Sequence, residues 1–528
     1  MIFELSRFFF KRAPKRRRPS DQEPTGGLQS FFNKPAWGMF YWVLVWLAAF
    51  LLTLSANGRE ASAPFLTQLQ KLCGDGLILF LGLICTAVLF RFAYHGGGAL
   101  GGLRVAPPNS ATLLFLLITL LNLGAIKWLL WMDFVSFPWL APLAGAFLPL
   151  ALAPMLLSIL INPLVGMVAG FWVSYAAGVL ADYRISVLLT GLLVTVVVGR
   201  FTRAVRSRAM LLRIGLWAGL AGGAGVIGFA AAGLPGYELV IPQLLASIAG
   251  GVFAALLVML LLPFVEIAFG ISTDISLLEL SDLEHPLLKR LAIEAPGTYH
   301  HSLMVANLTQ AAVTAIGGNA LRAGICAYFH DIGKLLKPSF FSENIQYGDN
   351  PHDELSPSMS SLVIIAHVKE GVGLALRHKL PRPVVEAIQQ HHGSGLVFYF
   401  YHKASVQQGE ARAEAAALGV PEQNFRYPGP KPQSREIAVL SLADAIEAAS
   451  RSLEKVSPGA LEDLVSEVID SKLRDGQLDE CDLAMAEINT IQRVLTCTLG
   501  HMLHRRIGYP SDENNRPKSP ETPSAQPA

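Results

Sequence analysis

The sequence predicts an all-α protein in two parts, a polytopic helical membrane domain of about eight spans followed by a soluble, all-helical domain. Three observations lead there. Hydrophobic residues make up 52% of the 528 and charged residues only 16%, where an ordinary soluble domain carries about 25% charged. The depletion falls almost wholly before residue 270, where apolar runs follow one another with short polar breaks. Beyond that point the composition is that of a soluble protein, and apolar residues recur at helical spacing.

The first 38 residues are basic and polar, with KRAPKRRR at 11–18. A basic cluster can mark nucleic-acid binding, but beside an apolar span it marks the cytoplasmic face of a membrane. Membrane lipid is therefore an expected partner, and a nucleic-acid polymer is not. No removable signal peptide is expected, because the apolar run that follows is long enough to stay in the bilayer.

A span needs about 20 apolar residues to cross roughly 30 Å of hydrocarbon. Eight segments answer to that: 39–55, 76–95, 111–132, 138–161, 163–182, 185–199, 210–233 and 243–269. Between 138 and 199 the only punctuation is Pro163 and Asp182-Tyr183-Arg184, and 185–199 is short enough to read as a tail of its neighbour. Parity supports eight. With the N-terminus in the cytoplasm, eight spans return the chain there and keep the loop at 200–209, with Arg200, Arg203, Arg206 and Arg208, inside as well; seven would place one of them outside, against the positive-inside tendency. The largest external loop is then 56–75, too short for a folded sensor domain. Lys127 and Glu266 are the main ionisable residues within the spans, with Arg91 and Arg213 near span ends. Interface snorkelling is favoured over a ligand or ion path. The glycines from Gly219 to Gly228 suggest close helix packing.

The five cysteines, Cys73, Cys85, Cys326, Cys481 and Cys497, form no CxxC pair. Only Cys73 falls near the oxidising side, so no disulfide framework is expected. The expected domains are a basic segment 1–38, the membrane domain 39–269, a linker helix 270–295, a soluble helical domain 296–507 and a disordered, Pro- and Ser-rich tail 508–528.

The linker stretch ISLLELSDLEHPLLKRLAIEAPGTYHH is helical in pattern, with breaks at Pro286 and Pro296. It leads into His300-His301, and the soluble half then carries, in order, His330-Asp331 within HDIGK, His367, His391-His392 and Asp444. Such residues supply the mixed nitrogen and oxygen ligands that iron and manganese accept. Neighbours on a helix point about 100° apart, so adjacent ligands address two ions a few ångströms apart. Two such ions clamp a phosphate and lower the pKa of a bridging water.

In that order these residues resemble the binuclear HD-domain phosphohydrolases. More closely, APGTYHHSLMVANL, YFHDIGKLLKP, NPHDELSPSMS, IIAHVKEG, IQQHHGS, FRYPGPKPQSRE and LADAIEAASRSL, with LLPFVEIAFGISTDISLLELSDLEHPLLKRL before them, resemble the seven-transmembrane HD family of bacterial cyclic-di-AMP phosphodiesterases. The resemblance covers roughly residues 35 to 505. It implies a membrane-anchored hydrolase with a cytoplasmic HD domain and two divalent transition-metal ions. Carried over by position, it assigns one metal to His301, His330, Asp331 and Asp444 and the other to His367, His391 and His392, with Asp331 bridging; His301 is preferred to His300 because it directly precedes Ser302. Lys334 would stabilise charge on the scissile phosphate. The implied reaction is in-line attack by a metal-bridging hydroxide on cyclic-di-AMP, giving linear pApA. Typical members have a large extracellular domain after the first span, and only about 20 residues stand there in this chain, which puts regulation through such a domain in doubt.

Other residues have blander readings. His95, His285, His378, His402, His501 and His504 are ordinary surface or core histidines, and His352 either touches substrate or braces its loop. Glu447 and Arg451, one and two turns after Asp444, are placed to contact nucleotide or to pair with each other; Asp444 itself has a helix-face ion pair with Arg451 as its alternative. FRYPGPKP reads as a rigid loop or a pocket wall. Two other functions stay in play. One is a phosphodiesterase for another nucleotide such as cyclic-di-GMP, although no GYP follows the HH pair. The other is a membrane signalling receptor that binds nucleotide without turnover. The sequence leaves a homo-oligomer open.

Overall fold

A computed structural model describes residues 35–54, 65–96, 108–135, 141–202, 205, 207–345, 350–410, 420–453 and 457–503. The basic N-terminal cluster, residues 56–64 of the loop at 56–75, Arg203, Arg206 and the tail after 507 lie outside them; residues 65–75 belong to a helix. Among the described residues there are nineteen α-helices, a few short 3-10 turns and no strand. The expected all-α class holds. The chain divides into two compact units, Met1–Val265 and Glu266–Ala528.

The first unit is built from α1 (Pro35–Leu54), α2 (Phe65–Gly96), α3 (Pro108–Val135), α4 (Ala141–Phe147), α5 (Leu152–Leu160), α6 (Pro163–Leu180), α7 (Ile185–Phe201), α8 (Arg208–Ala231) and α9 (Val240–Phe269), the last running to the unit's edge. Six of its segments are long and apolar enough to cross a membrane, and two shorter apolar helices, Phe40–Thr53 and Ile185–Phe201, bring the number to eight. Apolar helices in that number are those of a multi-pass membrane protein. Large apolar side chains such as Leu77, Val88 and Phe92 face outward, as lipid contact requires, and small residues face in. A Cβ on Gly251 would lie 2.3 Å from the Gly215 carbonyl oxygen, and one on Gly219 would lie 2.6 Å from Ile248 Cα. α8 and α9 therefore touch backbone to backbone.

One sequence expectation holds in detail and one changes. Segment 185–199 is a helix of its own, α7, set off by the turn at Asp182 and Tyr183, both in the left-handed region at φ 54° and 59°. Segment 138–161 is not one helix but two, interrupted at Leu148–Ala151. The interruption is held by buried Asn122 of α3, whose amide donates to the Pro149 carbonyl at 3.0 Å and accepts from the Ala153 N–H at 3.1 Å. Non-helical backbone at membrane depth survives only where such partners satisfy it.

The second unit begins with two short helices where the sequence suggested one linker helix. α10 (Asp274–Leu280) starts at a capping box between Thr273 and Ser276, and Glu266 also accepts hydrogen bonds from the Thr273 N–H and hydroxyl. α11 (Pro286–Glu294) and α12 (Pro296–Ala315) each carry proline in the first turn, where its missing N–H costs nothing. The helical run is thus broken at both prolines, as expected, and each starts the helix that follows. α13 (Ala320–Phe329), α14 (Pro357–Arg377), α15 (Arg382–Gln390), α16 (Phe398–Glu410), α17 (Arg435–Ser450), α18 (Pro458–Arg474) and α19 (Met485–Leu503) complete the unit.

One core joins Val305, Leu308 and Ala312 of α12 to Leu440, Ala443 and Ile446 of α17 and to Ile491 and Leu495 of α19. A second joins Leu287 and Leu291 to Phe329, Ile332, Leu374 and Ile388. α14 has enough mean hydropathy and length to pass for a span, but its Leu374 and Ala375 belong to this second core and its buried His367 faces the polar cluster described next.

Candidate metal centre

Each predicted ligand sits where a helix end or face aims it inward. His301 lies in the second turn of α12 and is buried, whereas its neighbour His300 is exposed. His330 is the residue that closes α13, and Asp331 opens the 3-10 turn Ile332–Leu336 that follows. His367 lies within α14, His391 closes α15 with His392 after it, and Asp444 lies on the buried face of α17. The turn after Asp331 reaches α14 only because residue 333 is glycine. A Cβ there would sit 1.9 Å from the His367 carbonyl oxygen.

The structure brings all seven side chains together in two groups, His301, His330, Asp331 and Asp444 in one and Asp331, His367, His391 and His392 in the other, the donor atoms of each lying within 4.8 Å of one another. Asp331 belongs to both. Its Oδ2 is 3.3 Å from His330 Nε2 and 3.5 Å from His301 Nε2, and its Oδ1 is 3.4 Å from His367 Nε2 and 3.7 Å from His391 Nε2. Asp444 Oδ1 is 3.1 Å from His301 Nε2, and its Oδ2 is 3.6 Å from His392 Nδ1. Donors held about 2.1 Å from one ion are spaced in roughly this way.

The outer nitrogens settle which lone pairs face the cluster. His330, His367 and His391 donate through Nδ1 to the carbonyls of Ala327 (2.7 Å), Ile364 (2.6 Å) and Ile388 (2.9 Å). His301 Nδ1 instead meets the carboxylate of Glu447. Each Nε2 is thereby presented inward as an acceptor, the arrangement that metal-ligating histidines show. His330 Nε2 and Asp331 Oδ1 are buried with no hydrogen-bond partner, a cost of about 1–3 kcal/mol each if nothing fills the centre.

The charges agree. Burial alone would raise the Asp331 carboxyl, but His330 and Lys334 hold it well below the usual carboxylate range; burial likewise opposes, and His301 and His330 overcome, the ionisation of Asp444. Burial pushes His391 down to about 3 and His392 well below its ordinary value, with neighbouring imidazoles adding to the effect, so both are neutral. Burial also acts against a charge on His330, yet Asp331 and Asp444 outweigh it and raise that imidazole to about 10. The carboxylates of the first group call for a positive charge at this spot. The donor set therefore fits two divalent cations.

Around the groups stand residues whose parts the sequence left open. Lys334 Nζ is 2.8 Å from Asp331 Oδ2 and 2.7 Å from Glu343 Oε1, and Thr298 donates to the same Glu343 oxygen at 3.0 Å. Glu343 had no motif to mark it. Glu447 pairs with Arg451 at 2.8 Å, as its spacing suggests, while its other oxygen orients His301. Arg451, expected to contact substrate, lies at the outer edge with its side chain 40% exposed. His352 donates to the Phe340 carbonyl at 2.8 Å and packs on Phe400, which is the bracing role.

Comparison with known proteins places this geometry. Residues 76–273 match the family described as 7TM receptor with intracellular HD hydrolase, and residues 298–449 match the HD domain. The first match takes in the seven apolar segments from α2 to α9, α4 and α5 together making one. The cyclic-di-AMP phosphodiesterase PgpH of Bacillus subtilis (strain 168) is 45% identical over 267 residues, 51% of this chain and 36% of that protein. The cyclic-di-AMP phosphodiesterase PgpH of Listeria monocytogenes serotype 1/2a (strain 10403S) is 40% identical over 265 residues, 50% of this chain and 36% of that one. The chain thus spans about a third of the length of these curated relatives. A crystal structure of the L. monocytogenes PgpH HD domain in complex with cyclic-di-AMP is 40% identical, covering 42% of this chain and 98% of that one, with a TM-score of 0.39.

Proposed function

We propose that the chain, whose residues 76–273 match 7TM receptors with an intracellular HD hydrolase and whose residues 298–449 match the HD domain, is a membrane-anchored, metal-dependent phosphodiesterase that hydrolyses cyclic-di-AMP to pApA. The observation that carries this reading is the pair of four-donor groups sharing Asp331. The substrate follows from relatives that are named cyclic-di-AMP phosphodiesterases.

His301, His330, Asp331 and Asp444 would hold one divalent ion and Asp331, His367, His391 and His392 the other, iron or manganese suiting such donors. Bound there, the ions supply an activated water at neutral pH and neutralise charge on the phosphate oxygens. The protein's own part is positional. Asp331, kept ionised, ties the two groups to one spacing. The His outer nitrogens, anchored to backbone carbonyls and to Glu447, keep each imidazole from turning. Lys334, whose charge its two carboxylate partners secure against burial, is fixed by Glu343 and turns its remaining N–H toward the scissile phosphate, as a preset electrostatic clamp. Arg451 offers the guanidinium N–H groups not taken by Glu447 to the second phosphate. The HD domain, about residues 296–507, works on the cytoplasmic face of the cell membrane, where the substrate is found.

The full chain, purified in detergent, loaded with manganese or iron and given cyclic-di-AMP and cyclic-di-GMP in parallel, tests the proposal. Conversion of cyclic-di-AMP to pApA, abolished by a chelator, is expected. Binding of cyclic-di-AMP with no product under either metal would make the protein a receptor instead.

A further inference from the structure

One side chain against the centre is used neither by the donor groups nor by the ion pairs around them. Tyr427, in the FRYPGPKP segment, follows the β-bridge between Leu396 and Arg426. Its backbone N–H donates to the Gly395 carbonyl at 3.0 Å, which ties it to the loop leaving His392. Its ring stacks on the His392 imidazole with centroids 4.3 Å apart and planes 28° apart, and meets His367 edge-on at 6.1 Å. Both of these histidines belong to the second donor group.

The ring is therefore held by two neighbouring imidazoles, and its hydroxyl makes no hydrogen bond to any described residue. The charged groups acting on it are Lys334, Asp331 and Asp444, the same ones that frame the cluster. Tyr427 is half-buried, so its ring is held while a ligand can still reach the hydroxyl, a placement that suits a tyrosine to a binding surface. A ring-anchored donor of this kind, beside a lysine and a site that calls for cations, is arranged to meet an anion that comes and goes. We infer that Tyr427 contacts the substrate, its ring bracing His392 and its hydroxyl donating a hydrogen bond to an oxygen of the phosphate held at the donor cluster. This rests on the phosphodiesterase reading above.

Tyr427→Phe keeps the ring and removes only the donor, whereas Tyr427→Leu removes both. In the full-length, manganese-loaded protein, Tyr427→Phe is expected to lower kcat/KM for cyclic-di-AMP by about 10- to 100-fold, the worth of one hydrogen bond to a charged group. Its metal content should stay at the wild-type level; Tyr427→Leu should lose metal as well. A Tyr427→Phe enzyme with wild-type kcat/KM overturns the inference. So does one whose rate falls only in step with lost metal. Should wild-type protein turn over no cyclic dinucleotide, the phosphodiesterase reading fails by itself. Tyr427 is then judged by inorganic phosphate binding to the manganese-loaded chain, where roughly tenfold weaker binding in Tyr427→Phe sustains the contact and equal binding removes it.

Discussion

Asp331 shows how much of this centre hangs on single side chains. It is the residue common to both donor groups, so Asp331→Ala should empty both positions and abolish hydrolysis, as measured by metal analysis beside a product assay. Full activity in that variant would end the two-metal reading. Glu447→Gln tests a subtler point. The carboxylate orients His301 from outside the donor group, and loss of such a partner weakens metal affinity by about 10- to 100-fold, readable by titrating manganese into the stripped protein; unchanged affinity would mean that Glu447 serves only Arg451. These cases also mark what was legible in the chain. HDIGK, the HH pair and Asp444 stand out because residue types and order carry the information. Glu447 was visible as an ion-pair partner four residues from Arg451, but its bond to His301 spans 146 positions, and no local spacing encodes a contact of that range. Glu343 and Tyr427 were obscure for the same reason, each being defined by a partner brought close only by folding.

Helices place these residues, and the joints between helices are where substitutions should be felt. Gly333 lets the turn after Asp331 lie against α14, and a methyl group there would meet the His367 carbonyl at 1.9 Å. Gly333→Ala should therefore cost about 1–3 kcal/mol, seen as a lowered Tm, and should weaken metal binding because His330, Asp331 and His367 all flank the joint. A variant with wild-type Tm and metal content would show that the two segments part freely. In the membrane unit the corresponding joint is the interruption at Leu148–Ala151. The apolar run 138–161 concealed it, since an unwound stretch and a helix have the same hydropathy, and the prolines within the run were passed over. Asn122 satisfies two backbone groups there. Asn122→Leu leaves both unpaired, at about 1–3 kcal/mol each, and should lower the thermal stability of the detergent-solubilised protein; no change would mean that water or the neighbouring helices already meet their needs. The helical class was legible along the chain because periodicity and length report it, whereas the division of 138–161 into two helices was not, and the linker, expected as one helix, is two. The breaks read at Pro286 and Pro296 are there, each proline opening the helix that follows.

At the scale of the whole chain the open matter is which side of the membrane each part occupies. Eight apolar segments and an arginine-rich stretch around 200–213 make an even number of crossings consistent with cytoplasmic positive charge. Four cysteines give this a direct reading. Cys73, exposed near the start of α2, lies on the external side in that topology, and exposed Cys497, on α19, lies on the cytoplasmic side. Cys85 faces outward within a span, where a charged reagent does not reach. Cys326 is buried, and burial pushes its thiol up to about 12, so it carries almost no thiolate near pH 8 and should stay unmodified on both sides until the protein unfolds. A membrane-impermeant maleimide applied to intact cells should therefore label single-cysteine Cys73 protein and spare single-cysteine Cys497 protein, with the latter labelled after lysis. Labelling of Cys497 in intact cells would place the HD domain outside. That would remove the chain from a cytoplasmic second messenger and force an odd number of crossings, with α7 then the helix to doubt, because it is one of the two apolar helices too short to qualify by length.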